Sequence, residues 1–189
     1  MSTVDRESAF TLLQEHAKGD TLIKHGLAVE AAMRAYARHF GEDEGLWGVV
    51  GLLHDFDWDV CPSPEQHPTY GADILRQRGY PENIVRAVLS HGNHTGVPRE
   101  SLMEHALFAV DELSGFVTAV ALVRPSKSLE DTTAQSVRRK MKDKAFARAV
   151  NREDIVQGAQ EIGVDLDQHI SVVIDALKPV AAALGLNPG

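Results

Sequence analysis

The chain has 189 residues, 43% of them hydrophobic, which is enough for one domain with a sizeable core. Its formal net charge of −8 at pH 7 argues against binding to nucleic-acid duplexes, because their phosphates repel an acidic surface. Its single cysteine, Cys61, excludes an internal disulfide and a structural zinc site made of thiolates.

Helical periodicity dominates along the chain and strand patterns are nearly absent, which favours an all-α fold. Residues 1–8 contain no basic stretch followed by an apolar one, so we expect no signal peptide and a cytoplasmic protein. Polar residues interrupt every apolar run before about 20 residues, so we expect no membrane partner. Helices are predicted at about 7–17, 22–40 and 44–54, with Gly19-Asp20-Thr21 supplying a break and an N-cap.

The segment 57–68 contains three prolines and is predicted to be a loop. Six more helices are expected after it, at about residues 69–79, 81–91, 100–123, 134–150, 152–162 and 166–184. No internal repeat divides the chain, so we expect a single domain over residues 1–189. Apolar residues on the last helix can pack within this domain or on a second copy, so an oligomer is possible.

Side chains that can bind metals lie in or beside five of these elements. His54 and Asp55 are adjacent at the end of an apolar helix, where burial is costly unless a cation compensates them. Because helix ends in a bundle can converge, we expect one shared metal site. Its predicted ligands are His25, His54, Asp55, His67, His91 and Asp111.

This ligand set, four imidazoles and two carboxylates, suits Mn, Fe, Co, Ni or Zn better than Ca or Mg. One octahedral ion would be satisfied by waters together with His25, His54, Asp55 and Asp111. The surplus of His67 and His91 indicates a second ion. Asp55 would then bridge the two ions at a separation of about 3.5 to 4 Å.

The order His, His-Asp, Asp resembles that of the HD-domain superfamily of metal-dependent phosphohydrolases. The segments that carry the resemblance are Leu-Ile-Lys-His25-Gly, Gly-Leu-Leu-His54-Asp55-Phe and Ala-Val-Asp111-Glu-Leu. The resemblance covers about residues 22–123 and implies an all-α HD-type bundle. We expect a core at about 20–123 and a C-terminal helical extension, 124–189, that covers the site. The whole chain is also similar to a bacterial subgroup of predicted HD hydrolases, through Val-Asp111-Glu-Leu-Ser-Gly-Phe and Val-Arg124-Pro-Ser-Lys127.

The resemblance also implies roles for the later histidines. His67 and His91 take the places of ligands to a second ion, although His94 is an alternative to His91. We favour His91 because it ends a predicted helix, which leaves His94 to face the substrate. The implied chemistry is the attack of a metal-activated water on phosphorus.

Further candidates surround this site. We expect Asp55, Asp57 and His94 to be catalytic, with Asp57 or His94 moving protons and Asp59 as an alternative; the loop acids can also be simply solvated. Trp58 can line a pocket beside the site. Residues 124–148 carry eight positive and three negative charges, which suits a small phosphorylated or carboxylated ligand but also a solvated helix face. The candidate phosphate-binding residues there are Arg124, Lys127, Lys140 and Lys144, with Lys24 as a weaker one.

Three functions fit these residues. The favoured one is a metal-dependent phosphohydrolase acting on a nucleotide or another small phosphorylated metabolite. The first alternative is an HD-type di-iron oxygenase acting on a small polar substrate, as in proteins similar to myo-inositol oxygenase, because the same ligand set serves both activities. The second is a non-catalytic, nucleotide-sensing HD module, which is disfavoured because the four positions of the motif are all present.

Overall fold

The regular structure of the chain is helical, as predicted. A computed structural model describes residues 4–187. The expected domain, 1–189, and the segment examined for a signal peptide, 1–8, thus lie partly outside the described residues. Within the described range, an isolated bridge between Ser128 and Asn187 is the one β feature. The helices are α1 (Arg6–His16), α2 (Asp20–Phe40), α3 (Glu44–Leu53), α4 (Thr69–Gln77), α5 (Glu82–His91), α6 (Leu102–Leu122), α7 (Ala134–Met141), α8 (Arg152–Glu161) and α9 (Leu166–Leu177). Short 3₁₀ turns lie at Pro64–Gln66, Asn93–Thr95 and Lys178–Val180.

Most of these helices begin where a side chain satisfies a free backbone N–H. The Asp43 carboxylate caps α3 by accepting from the Leu46 N–H at 2.9 Å. Ser101 and Glu104 form a reciprocal capping box at the start of α6. The N-cap of α2 is Gly19, which has an extended backbone and no side-chain cap. Gly41 ends that helix in the left-handed conformation, with φ of 75°.

Helix α6 forms the centre of the bundle and contacts α2, α5, α8 and α9. Its buried apolar residues continue the core made by α2 and α3. By length and composition α6 could cross a membrane, but 61% of its most apolar window is buried in the bundle, as expected of any core helix. The helix approaches α8 closely at Gly158, where an added Cβ would lie 2.5 Å from the Cα of Ala109.

A buried polar chain ties α2, α9 and α6 together inside this core. The Nε2–H of His169 donates to the Ala109 carbonyl at 2.9 Å, and its Nδ1 accepts from the Tyr36 hydroxyl at 2.5 Å. Burial lowers the pKa of His169 to about 4. The imidazole is therefore neutral near pH 7 and serves as a structural element of the core.

Two predicted helices are shorter than expected. The prediction of one helix over 134–150 is wrong, because α7 ends at Met141 and residues 142–150 form turns. The Arg152 guanidinium donates to the carbonyls of Ala147 and Val150 at 2.9 and 2.6 Å, so these groups have partners outside any helix. The prediction of a last helix to residue 184 is also wrong, because Pro179 disfavours continuation and α9 ends at Leu177.

Candidate metal centre

Three helices bring four potential ligands together. His25 lies in α2, His54 and Asp55 follow α3, and Asp111 lies in α6. The Nε2 atom of His25 is 3.1 Å from both His54 Nε2 and Asp111 Oδ1. His54 Nε2 lies 3.3 Å from Asp111 Oδ1 and 3.4 Å from Asp55 Oδ2. We call these four residues the first cluster.

Asp55 also belongs to a second group of ligand atoms. Its Oδ1 lies 3.0 Å from His67 Nε2 and 3.2 Å from His91 Nε2. Each group keeps its potential ligand atoms within 4.8 Å of one another. We call Asp55, His67 and His91 the second cluster. The two oxygens of one carboxylate therefore face two separate sets of imidazoles.

Hydrogen bonds on the far side of three imidazoles fix their orientation. His54 Nδ1 donates to the Gly51 carbonyl at 2.8 Å, and His91 Nδ1 donates to the Val88 carbonyl at 2.6 Å. His67 Nδ1 donates to a carboxylate oxygen of Asp57 at 2.7 Å. Because Nδ1 carries the proton in each ring, the Nε2 lone pair points into the clusters, as metal ligation requires.

The donor spacing fits a transition-metal ion. Ligand atoms about 2.1 Å from a metal lie about 3.0 Å apart in an octahedron and about 3.4 Å apart in a tetrahedron. The contacts given above, 3.0 to 3.4 Å, fall in that range. The mixed nitrogen and oxygen donors are also those that Mn, Fe, Co, Ni and Zn accept. These residues can therefore hold divalent metal ions.

The electrostatics of the clusters also favour a cation. Burial alone would lower the pKa of His54, but the Asp55 and Asp111 carboxylates outweigh it and raise that pKa. Burial also opposes the charge on His67, yet Asp55 and Asp57 raise its pKa to about 9. Positive charge, carried by a proton or by a metal ion, is thus stabilised among these carboxylates.

A cavity of about 780 Å³ opens onto both clusters. Besides the cluster residues, the cavity is lined by Lys18, by Trp58 in the loop after α3, by Glu112 of α6 and by Asp154 of α8. Burial, reinforced by Asp111, raises the pKa of Glu112 to about 7. We did not single out Lys18, Glu112 or Asp154 from the sequence. The one available signal was the position of Glu112 directly after Asp111.

The structure separates the roles of the loop residues. Asp57 is fully buried, and its two oxygens accept from His67 Nδ1 and from the Gly71 N–H. This carboxylate orients His67 and has no exposed surface, which disfavours the proton transfer predicted for it. His94 lines the cavity and donates from Nε2 to the His67 carbonyl, whereas His91 lies in the second cluster. Asp59 also lines the cavity and accepts from the Lys18 N–H at 2.8 Å.

The predicted phosphate-binding residues do not line this cavity. Arg124 pairs with Asp131 at 3.0 Å and, with Lys140, lines a separate cavity of about 290 Å³. Lys127 and Lys144 are exposed and line neither space. The side chain of Lys24 lies beside Gly185. Arg124 and Lys127 lie in the segment after α6, Lys140 lies near the end of α7 and Lys144 follows that helix, so their role in phosphate binding stays a prediction.

The comparison with protein families agrees with this geometry. The model of the HD domain family matches residues 22–156. The chain belongs to the HD domain family. The match extends past the expected core at 20–123 and includes α7 and the first half of α8. The matched residues therefore include Val150 and Asp154, which line the cavity. The HD superfamily to which this chain belongs comprises metal-dependent phosphohydrolases, in agreement with the clusters.

Curated relatives of this HD domain are ribonucleases Y. The protein from Desulfotalea psychrophila is 30% identical over 149 residues, which cover 76% of this chain and 28% of the relative. Those from Acetivibrio thermocellus and Lactobacillus gasseri are 31% and 28% identical over 97 residues, or 51% of this chain and 18% of each relative. The chain thus spans less than a third of the length of these relatives. The comparison with solved structures gives no significant match.

Proposed function

We propose that this protein is a cytoplasmic, metal-dependent phosphohydrolase that cleaves a phosphoester of a nucleotide or another small phosphorylated metabolite. The observation that carries the proposal is Asp55, whose two oxygens lie 3.4 and 3.0 Å from imidazoles of the first and second clusters. A carboxylate in this position can bridge two ions, and paired ions suit in-line attack on phosphorus. The expected ligands are His25, His54, Asp55, His67, His91 and Asp111.

The residues of the chain have distinct parts in this reaction. Bound divalent ions would supply a water with a lowered pKa and would neutralise charge on the phosphoryl oxygens. The backbone carbonyls and Asp57 hold the imidazoles in one tautomer before substrate arrives. His94 uses Nε2–H to bind the His67 carbonyl, so its Nδ1 is the atom left to accept a proton at the cavity wall.

A second candidate substrate is single-stranded RNA. It is favoured by the similarity of 76% of this chain to a protein named ribonuclease Y. RNA carries a negative charge at every nucleotide, however, and the basic stretch after residue 124 does not line the cavity. The net charge of −8 adds repulsion. We therefore rank a small substrate above RNA.

The test begins with metal analysis of protein purified without added metal, followed by an anaerobic hydrolysis screen with Mn²⁺. The screen includes phosphomonoesters, phosphodiesters, nucleotides and an RNA oligomer, each with and without EDTA. We expect at least one transition metal per chain and phosphoester cleavage that EDTA removes. Asp55→Ala should abolish activity, whereas Asp73→Ala, which alters an exposed carboxylate on α4, should retain it.

Three results would overturn the proposal. Full activity of Asp55→Ala would exclude the clusters as the site of reaction. Oxygen uptake by iron-loaded protein, with no anaerobic cleavage, would favour the di-iron oxygenase that uses the same ligand types. Tight nucleotide binding without turnover for any substrate and metal would favour the sensing module.

A further inference from the structure

Trp58 is an exposed tryptophan that lines the cavity at the candidate site. About half of the residue, 51%, is open to solvent, whereas the other tryptophan, Trp47, is 3% exposed. Among the large hydrophobic residues exposed in the described chain, Trp58 is the one that lines the 780 Å³ cavity. An aromatic ring left in water loses the free energy that burial would give. A ligand that covers Trp58 would recover it, so this position is a candidate binding surface.

The indole is held next to the second cluster. Its ring centroid lies 4.8 Å from that of His67, and the two rings are nearly perpendicular, at 82°. The backbone N–H of Trp58 donates to the Asp55 carbonyl at 2.8 Å. These contacts fix the tryptophan relative to two residues of the cluster while half of its surface stays open. A ring stacked on Trp58 would therefore lie beside the second cluster, where the same ligand could place a phosphoryl group.

The charge of the cavity limits the rest of the ligand. Among the described residues that line it are five carboxylates, Asp55, Asp59, Asp111, Glu112 and Asp154, against one lysine, Lys18. Divalent ions at the clusters would compensate Asp55 and Asp111, which leaves Asp59 and Asp154 as uncompensated acids on the rest of the cavity wall. Further phosphate groups placed there would be repelled.

We propose that Trp58 is a specificity-determining residue that stacks on the base of a nucleotide carrying a single phosphoryl group. This inference rests on the proposed function and narrows it to mononucleotides or single nucleotide phosphodiesters. Neutral ribose hydroxyls suit the acidic wall, because they can donate to the carboxylates of Glu112 and Asp154.

The test measures binding separately from turnover, in metal-loaded protein. The probe is the methylene phosphonate analogue of adenosine monophosphate, in which carbon replaces the scissile ester oxygen; methylphosphonate is the probe without a base. We expect the nucleotide analogue to quench tryptophan fluorescence, and the quenching to vanish in Trp58→Phe, where Trp47 remains. By calorimetry, Trp58→Ala should raise the Kd for the nucleotide analogue by about 10-fold or more and leave that for methylphosphonate unchanged.

A matched control and a second ligand complete the design. Tyr70→Ala removes another exposed aromatic, which does not line the cavity, and should not change either Kd. Adding two phosphates to the nucleotide analogue should weaken binding by about 10-fold or more. Equal Kd values for wild type and Trp58→Ala, an equal loss for methylphosphonate, or tighter binding of the triphosphate form would overturn the inference.

The two proposals fail in different ways. Trp58-dependent binding of the nucleotide analogue without hydrolysis of any phosphoester would support stacking and contradict the hydrolase. Metal-dependent hydrolysis that Trp58→Ala leaves unchanged for nucleotides would contradict stacking while the hydrolase stands.

Discussion

The carboxylate of Asp57 accepts a hydrogen bond from Nδ1 of His67 at 2.7 Å, directly behind the second cluster. Its other oxygen accepts from the Gly71 N–H at 2.8 Å, so a backbone group at the start of α4 holds the carboxylate in place. A Cβ at Gly71 would come within 2.8 Å of Asp57 Cγ, so only glycine allows this approach without displacement. The pair sets which nitrogen of His67 faces Asp55.

The first prediction concerns this pair. Asp57→Asn should lower the affinity for metal at the second cluster by about 10- to 100-fold, because an amide nitrogen cannot accept from the Gly71 N–H and the ring loses a charged partner. Equilibrium dialysis against Mn²⁺ with elemental analysis measures the change. The control is Asp73→Asn, which changes an exposed acid on α4 and should bind metal as the wild type does. Unchanged affinity in Asp57→Asn would show that His67 does not depend on this contact.

The second prediction separates the two clusters by stoichiometry. His67→Ala should reduce saturable metal from about two ions per chain to about one, because the first cluster keeps all four of its ligand atoms. Asp55→Ala should reduce binding at both clusters, since its oxygens face each of them. The readout is bound Mn²⁺ per chain after gel filtration. His39→Ala, which removes an exposed histidine, should bind the wild-type amount; full retention of two ions by His67→Ala would place the second ion elsewhere.

The sequence was sufficient for the helical fold and for bringing His25, His54, Asp55 and Asp111 to one site. Those residues lie on or at the ends of strongly periodic helices, whose packing follows from their apolar faces. Asp57 and Asp59 look alike in the sequence, and only the turn after α3 determines that one is buried behind His67 and the other lines the cavity.

The basic stretch could not be placed from its composition. Residues 142–150 have acceptable helix propensity. The Arg152 guanidinium, however, donates hydrogen bonds to backbone carbonyls of this segment and so stabilises turns instead of a helix. These side-chain contacts to backbone carbonyls leave no periodic signal in the sequence. Likewise, Asp154 reaches the cavity wall because α8 packs on α6, a tertiary contact between segments about 40 residues apart.

The third prediction concerns pH and the buried histidine of the core. Burial lowers the pKa of His169 from 6.5 to about 4, so between these values the unfolded chain binds more protons than the native one. The free energy of unfolding should therefore rise with pH across this window, by up to about 3 kcal/mol from His169, and that contribution is complete above pH 6.5. Urea unfolding at pH 7 and pH 4.5 measures it.

The control for this prediction compares two histidines. His169→Gln keeps hydrogen-bonding groups but cannot titrate, so it should lose a large part of the pH dependence. His39→Gln, on the exposed end of α2, should keep it. If His169→Gln and wild type lose the same free energy between pH 7 and pH 4.5, His169 does not supply this dependence.

The last prediction tests the close approach that positions the cavity wall. Gly158→Ala gains helix propensity of about 1 kcal/mol, but its Cβ would lie 2.5 Å from the backbone Cα of Ala109, which no side-chain rotation can relieve. We expect overpacking to outweigh propensity and to lower the free energy of unfolding by about 1 to 2 kcal/mol. Urea unfolding measures this change against Gly45→Ala, whose added Cβ meets only the Asp43 side chain and should cost less. Equal stability of Gly158→Ala and wild type would mean that α8 moves away from α6 without cost. In that case the position of Asp154, one turn earlier on α8, would not be fixed by this contact.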